Sequence, residues 1–167
     1  MSKGIILRIG LGIDVHAFAE AEEQRPLVLG GVRIEYPRGL AGHSDADVLV
    51  HAVMDALLGA ARLGDIGQHF PPTDPAYKDA CSLDLLKRVA GLLKENEWCI
   101  EDIDCVIIAQ EPRLSPFRDV MRLNISEALE LDIEQVGIKA TTTEYLGFEG
   151  RKEGISAYAV ALLGAQQ

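Results

Sequence analysis

The chain has 167 residues, 48% of them apolar, which is enough for one domain with a real core and too much for a disordered chain. Its net charge of −10 argues against a nucleic-acid groove, because phosphate contacts need clustered Lys and Arg. A small phosphorylated ligand stays compatible with an acidic protein, since a metal and a few backbone N–H groups can hold it.

Ile5 to Ile13 is a β-rich apolar run containing Gly10 and Gly12. Arg8 and Asp14 interrupt it and no small-residue cleavage site follows, so it reads as a first strand rather than a signal segment. No apolar run approaches the ~20 residues of a membrane span. Asp14 and His16, spaced i, i+2, fall on one side of an extended backbone. Leu27–Leu29 and Val32–Ile34 flank Gly30-Gly31 and predict a tight hairpin. After a loop from Pro37 to Gly42, Ser44, Asp45 and Asp47 offer N-caps for a helix running to about Arg62. That helix is apolar over much of its circumference and should be well buried. Asp47, His51 and Asp55, at i, i+4 and i+8, form its one polar stripe, which must face solvent or a cavity.

Gly64 to Pro75 reads as a loop. Ser82 opens a second helix with Leu83, Leu85, Leu86, Val89, Leu92 and Leu93 as its core face. Ile100 to Ala109 is a strand, Pro112 to Pro116 a loop, and Ser115-Pro116 the start of a third helix carrying Val120, Met121, Leu123, Ile125, Ala128 and Leu129. Gln135 to Thr141 is a strand and Thr142 to Gly154 a loop. Ile155 to Leu163 fits strand or helix equally by periodicity. The order predicts one α+β domain spanning 1–167, a mixed sheet with helices packed on one face. Cys81, Cys99 and Cys105 are odd in number and lack CxxC spacing, so they read as three buried thiols of a cytoplasmic protein.

Most of the unusual polar residues lie at element ends. Asp14, His16 and His51 offer one carboxylate and two imidazoles, a set that suits Zn²⁺ with one position left open for chemistry. A metal-binding histidine usually donates its other N–H to a carboxylate, and Asp47 or Asp55 could serve His51 in that way. In His43-Ser44-Asp45-Ala46-Asp47, helix capping explains Ser44 or Asp45 but not His43. Ala140-Thr141-Thr142-Thr143-Glu144 brings hydroxyls, amides and a carboxylate together at a strand end, a composition that fits phosphate and Mg²⁺.

Together these segments resemble the 2-C-methyl-D-erythritol 2,4-cyclodiphosphate synthase family. The resemblance is carried by Arg8-Ile9-Gly10 through Asp14-Val15-His16-Ala17-Phe18, Leu29-Gly30-Gly31-Val32, His43-Ser44-Asp45 and Asp47 to His51. It continues through Asp55 to Ala60, Leu63 to Gly67, Phe70-Pro71 with Thr73-Asp74-Pro75, Ile108-Ala109-Gln110, and Lys139 through Glu144 to Leu146-Gly147-Phe148. No one motif is decisive, but the ordered set covers nearly the whole chain.

The resemblance implies a reaction in which the 2-phosphate of 4-diphosphocytidyl-2-C-methyl-D-erythritol 2-phosphate attacks the β-phosphorus and CMP leaves. It implies Zn²⁺ on Asp14, His16 and His51, and Mg²⁺ or Mn²⁺ on Glu144. His43 and Thr142 take catalytic roles, steadying charge at the phosphorus under attack. Asp65, Ile66, Gly67, Phe70, Pro71, Pro72, Thr73 and Asp74 line the methylerythritol pocket. Ala109, Pro112, Arg113, Leu114, Ser115, Ala140 and Thr141 receive the cytidine end, and Ser44, Gln110, Glu111 and Thr143 complete the substrate-binding set. The family is a homotrimer with active sites between subunits. Phe148 and Arg151 match positions at an apolar channel on its threefold axis, which implies an isoprenoid diphosphate as a further small-molecule partner.

Five positions depart from the pattern. Ala46 and Lys152 stand where glycine is common, Arg113 and Tyr145 where lysine is, and Tyr158 where some relatives have an acid. Two other readings share the residues: a zinc-dependent phosphohydrolase, separated by its product, and a non-catalytic trimer that binds isoprenoid diphosphates.

Overall fold

Residues 6–165 are described by a computed structural model; Ile5, where the sequence begins its first strand, lies outside the described residues. Strand β1 (Leu7–Ala17) extends four residues past the expected end at Ile13, because it stays paired with β6 (Gly154–Ala165) from Leu7↔Gly164 to Ala17↔Gly154. Asp14 and His16 therefore belong to a strand, not to the loop after it. The Gly30-Gly31 turn joins β2 (Leu27–Leu29) to β3 (Val32–Ile34) as expected, with both glycines at positive φ.

Helix α1 (Val48–Ala61) is capped by Asp47 and ends at Arg62 in the left-handed region. A one-turn helix, α2 (Ile66–His69), interrupts the predicted loop. Next come α3 (Ser82–Glu95), β4 (Trp98–Ile108), α4 (Arg118–Leu129) and β5 (Val136–Thr141). A second one-turn helix, α5 (Gly147–Gly150), lies in the segment expected to be loop. The final element, β6, is a strand.

The main sheet has the order β1-β6-β4-β5, with β6 antiparallel to both its neighbours and β4 parallel to β5. It is the expected mixed sheet. Helix α1 packs on β1 and β6, α3 on β4, and α4 on β5, so the three long helices cover one face. Gly10 and Gly12 let α1 settle directly onto β1. A Cβ at Gly12 would lie 1.9 Å from the Ala52 carbonyl oxygen, and one at Gly10 2.0 Å from that of Ala56. This close approach brings His51 of α1 over Asp14 and His16 of β1.

On β1 and β6 the other face of the sheet is apolar and, within one chain, uncovered, while towards β5 it carries the exposed Asp104–Lys139 ion pair. Ile9 is 70% exposed and Leu11 62%, with Ile13, Val15, Tyr158 and Val160 also open. Tyr158 pairs with Ile13, and Val160 with Leu11, so these side chains form one continuous patch. On α4, Val120 and Leu123 are likewise exposed rather than core. The cysteines differ from expectation: Cys105 alone is buried, Cys99 is half-buried and Cys81 exposed, and all three are free. Burial pushes the Cys105 thiol up to about 12. No helix among the described residues is long and apolar enough to cross a membrane.

Candidate active site

Three side chains meet where β1 passes under α1. Asp14 Oδ2 lies 3.0 Å from both His16 Nε2 and His51 Nδ1, and the two ring nitrogens are 3.3 Å apart. All three groups offer one ligand atom within 4.8 Å of one another, and among the described residues this is the one group of three or more metal-ligating side chains. The far nitrogens are committed elsewhere. His16 Nδ1 lies 2.5 Å from the Ala41 carbonyl, which can only accept, so that nitrogen carries the proton and leaves Nε2 bare. His51 Nε2 faces Ser82 Oγ at 2.9 Å and Ser44 Oγ at 3.3 Å. Lone pairs from a carboxylate and two imidazoles thus converge on one point, an arrangement that calls for a cation. The donor set fits a metal ion.

With no metal bound, a proton shared with the histidine rings takes the cation's place beside Asp14. Burial pushes the Asp14 pKa up, but hydrogen bonds and charge attraction from His16 and His51 outweigh it and hold the carboxyl well below the usual range. Burial likewise pulls His16 down, and its bond to Asp14 more than compensates, raising it above its ordinary value.

The expected carboxylate partner of His51 is a correction. Asp47 points away from the ring and is fully buried. It accepts N–H bonds from Gly30 at 2.9 Å, Gly31 at 2.7 Å and Val50 at 3.1 Å, tying the hairpin turn to the start of α1. Burial pushes its pKa up to about 6 against those three donors. Asp55 accepts from the Ile66 N–H at 2.8 Å and anchors α2; burial raises its pKa as well. The stripe of Asp47, His51 and Asp55 therefore serves three separate purposes.

The triad opens onto a cavity of about 230 Å³ lined also by His43, Ser44, Met54, Ile66, Gly67, Phe70, Pro72, Tyr77 and Leu85. Of the residues expected to line the methylerythritol pocket, Ile66, Gly67, Phe70 and Pro72 line this cavity. Asp65 instead caps α2, accepting from the Gln68 N–H, and Asp74 caps the turn at Pro75–Tyr77. Pro71 and Thr73 are not among the lining residues. Met54, Tyr77 and Leu85 were not expected. Leu85 reads only as a core position, Met54 is a buried residue of α1, and Tyr77 closes the wall by packing edge-on against Phe70 at 5.4 Å.

A second pocket, of about 190 Å³, lies across the sheet between β4, β5 and α4. It gathers Leu114, Ser115 and Ala140 from the expected cytidine set, with Ile107, Arg118, Met121, Ile138 and Lys139. Nearby, Arg113 Nε donates to Ser115 Oγ at 3.0 Å and the Ala109 N–H to the Thr141 carbonyl at 3.0 Å. Gln110 Oε1 accepts the Tyr145 N–H, and Glu111 pairs with Lys152 at 2.7 Å. At the end of β5, Thr142 Oγ1 donates to Glu144 Oε1 at 2.8 Å, and both side chains are exposed. Thr143 bonds the Leu146 carbonyl, Phe148 is half-buried, and Arg151 pairs with Glu153 at 2.8 Å. β1 and β5 are opposite edges of the sheet, three strand spacings or about 14 Å apart, so one chain does not bring the triad and the second pocket together.

Fold and site thus define a single-domain α+β protein with a candidate metal centre at the mouth of a small-molecule cavity. The YgbB family profile matches residues 7–164, and the chain belongs to that family. It is 58% identical over 157 residues to the 2-C-methyl-D-erythritol 2,4-cyclodiphosphate synthase of Syntrophomonas wolfei subsp. wolfei, covering 94% of this chain and 98% of the relative. The enzyme of the same name from Bacillus subtilis strain 168 is 54% identical over 158 residues, covering 95% and 98%. Among solved structures, the bifunctional IspDF from Campylobacter jejuni superposes with a TM-score of 0.91 at 44% identity, over 97% of this chain and 43% of that one. A CDP complex of IspF from Plasmodium falciparum gives a TM-score of 0.83 at 34% identity, over 96% and 97%.

Proposed function

We propose that this protein converts 4-diphosphocytidyl-2-C-methyl-D-erythritol 2-phosphate to 2-C-methyl-D-erythritol 2,4-cyclodiphosphate with release of CMP, a cytoplasmic step of isoprenoid biosynthesis. An oxygen of the 2-phosphate forms a bond to the β-phosphorus, and the β-phosphorus–oxygen bond to CMP breaks. The observation that carries this reading is the convergence of Asp14, His16 and His51 at the mouth of the Phe70-lined cavity. Kinship to synthases at more than half identity gives that geometry its substrate.

Both reacting phosphates are anionic parts of one flexible molecule, so closing the ring needs positioning and charge neutralisation more than proton transfer. Zn²⁺ on Asp14, His16 and His51, and Mg²⁺ or Mn²⁺ on Glu144, would neutralise phosphate charge and polarise the phosphorus–oxygen bonds. His43 and Thr142 offer hydrogen bonds to the oxygens of the phosphorus under attack. Ile66, Gly67, Phe70 and Pro72 hold the methylerythritol carbons, and the walls around Leu114, Ser115 and Ala140 receive the cytidine.

The working unit in this reading is a homotrimer in which one subunit's triad faces the next subunit's cytidine pocket. The opposite-edge placement of the two pockets supports it, as does the uncovered apolar face of β1 and β6. Phe148 and Arg151 would meet an isoprenoid diphosphate at the channel such a trimer encloses.

The test is ³¹P NMR of the purified protein with substrate, Zn²⁺ and Mg²⁺. Two coupled signals of a cyclic diphosphate, appearing together with CMP, are the expected result. Linear or inorganic phosphate would identify a hydrolase, and an unchanged spectrum with metal bound a silent binding protein.

A further inference from the structure

Behind the triad runs a polar chain that the proposed reaction does not use. Ser82, the first residue of α3, is fully buried and does not line the cavity. Its Oγ lies 2.9 Å from His51 Nε2 and 2.5 Å from Asp45 Oδ1, and its backbone N–H donates to Asp45 Oδ2 at 2.9 Å. The direction of each bond follows from what the groups can do. A carboxylate only accepts, so the Ser82 hydroxyl gives its hydrogen to Asp45. Ser82 Oγ then has only lone pairs to present to His51, and the proton between them must sit on His51 Nε2. Nδ1 is left bare, aimed at the point shared with Asp14 Oδ2 and His16 Nε2.

We propose that Ser82, oriented by Asp45, is a positioning residue that sets the tautomer and ring orientation of His51 for metal binding. The proposal rests on the reading of Asp14, His16 and His51 as a metal centre. Ser44 is the competing acceptor for the same proton. It is farther away, at 3.3 Å, and it already accepts the Ala46 N–H at 3.2 Å. Because Ser82 takes the His51 proton, Ser44 stays free to face a ligand in the cavity it lines.

The same contact joins two distant stretches of chain. The Asp79 N–H donates to the His43 carbonyl at 3.0 Å, and the Asp45 N–H to the Ala80 carbonyl at 3.2 Å. The segment leading into α3 is thereby clasped to the one carrying His43, next to the ring that Ser82 holds. Ser82 is 31 residues from His51 in the chain, so no helical spacing connects them.

The test uses Zn²⁺ alone as the probe. Affinity is measured by chelator competition for wild type, Ser82→Ala and Ser82→Thr, with ¹H–¹⁵N NMR of the His51 ring in the zinc-loaded proteins. Ser82→Ala is expected to lose about 10- to 100-fold in affinity together with the slowly exchanging Nε2–H signal, while Ser82→Thr, which keeps the hydroxyl, stays within about threefold of wild type and retains the signal. If Ser82→Ala does not fold, Asp45→Asn, which turns an amide N–H₂ towards the Ser82 donors, must lower affinity in the same direction. An alanine variant that binds zinc like wild type, or alanine and threonine variants weakened equally, would overturn the proposal while leaving the metal centre standing. A wild-type protein that binds no zinc would overturn the metal centre and the proposal with it.

Discussion

Two departures from the family pattern have a shared backbone cause. Ala46 has φ 56° and Lys152 φ 60°, the left-handed region in which glycine is at ease and other residues are strained. Their outcomes on replacement should differ. Lys152 is half-exposed and its ion pair with Glu111 is a surface one, so Lys152→Gly should gain about 0.5–1 kcal/mol in a denaturant titration. Ala46 is fully buried, and losing its methyl offsets the relief, so Ala46→Gly should change stability by less than about 0.5 kcal/mol. Asp47 gives a pH signature. An aspartate raised from 3.8 to about 6 binds its proton more tightly when folded, so its ionisation costs stability in full above pH 6 and nothing below 3.8. In metal-free protein, wild type should therefore gain on Asp47→Asn as pH falls from 7 towards 4, by at most about 1.4 kcal/mol per pH unit. A difference that stays flat with pH would mean that the three N–H donors cancel the effect of burial.

At the scale of elements, the site depends on the packing of α1 against β1. Gly12→Ala would drive a methyl into the Ala52 carbonyl and force the helix outward, carrying His51 away from Asp14 and His16. The expected result is a loss of at least about 2–3 kcal/mol of stability and a weakened metal site, read by thermal melting and zinc titration of the same variant. What the sequence made legible here is local. Alternation placed Asp14 and His16 on one side of a strand, and capping residues located α1. The strand's true end was hidden, because the apolar run stops at Ile13 and only pairing with β6, about 140 residues later, carries the strand on to Ala17. The partner of His51 was hidden for a similar reason: an i, i+4 rule can nominate only Asp47 and Asp55, whereas Ser82 arrives on another helix. Cys81 reads as a buried thiol by composition, yet it sits exposed at the start of α3, and only tertiary packing decides between the two.

Across the whole molecule, the uncovered face of β1 and β6 is the feature that a lone chain does not explain. A patch holding Ile9, Leu11, Ile13, Val15, Tyr158 and Val160 has the apolar character of an association surface, and the proposed trimer would cover it. Val160→Asp places a charge in it, between Leu11 and Asp104. Sedimentation should then show monomer in place of trimer, with zinc still bound and turnover gone. A trimeric, active Val160→Asp protein would remove this face from the assembly. The sequence left this surface unreadable, since interface and core both appear as alternating apolar residues in one dimension.

The separation of the two pockets onto opposite sheet edges has a consequence for mixtures of defective chains. A subunit lacking His51 still carries a sound β5 edge, and one lacking Glu144 a sound triad. In the proposed trimer, neither forms a working site with its own kind. When the two are unfolded and renatured together in equal amounts, random assembly pairs a sound triad with a sound β5 edge at about one site in four. Two dead preparations should thus recover about a quarter of wild-type turnover, a rescue that sites contained within single chains could not give.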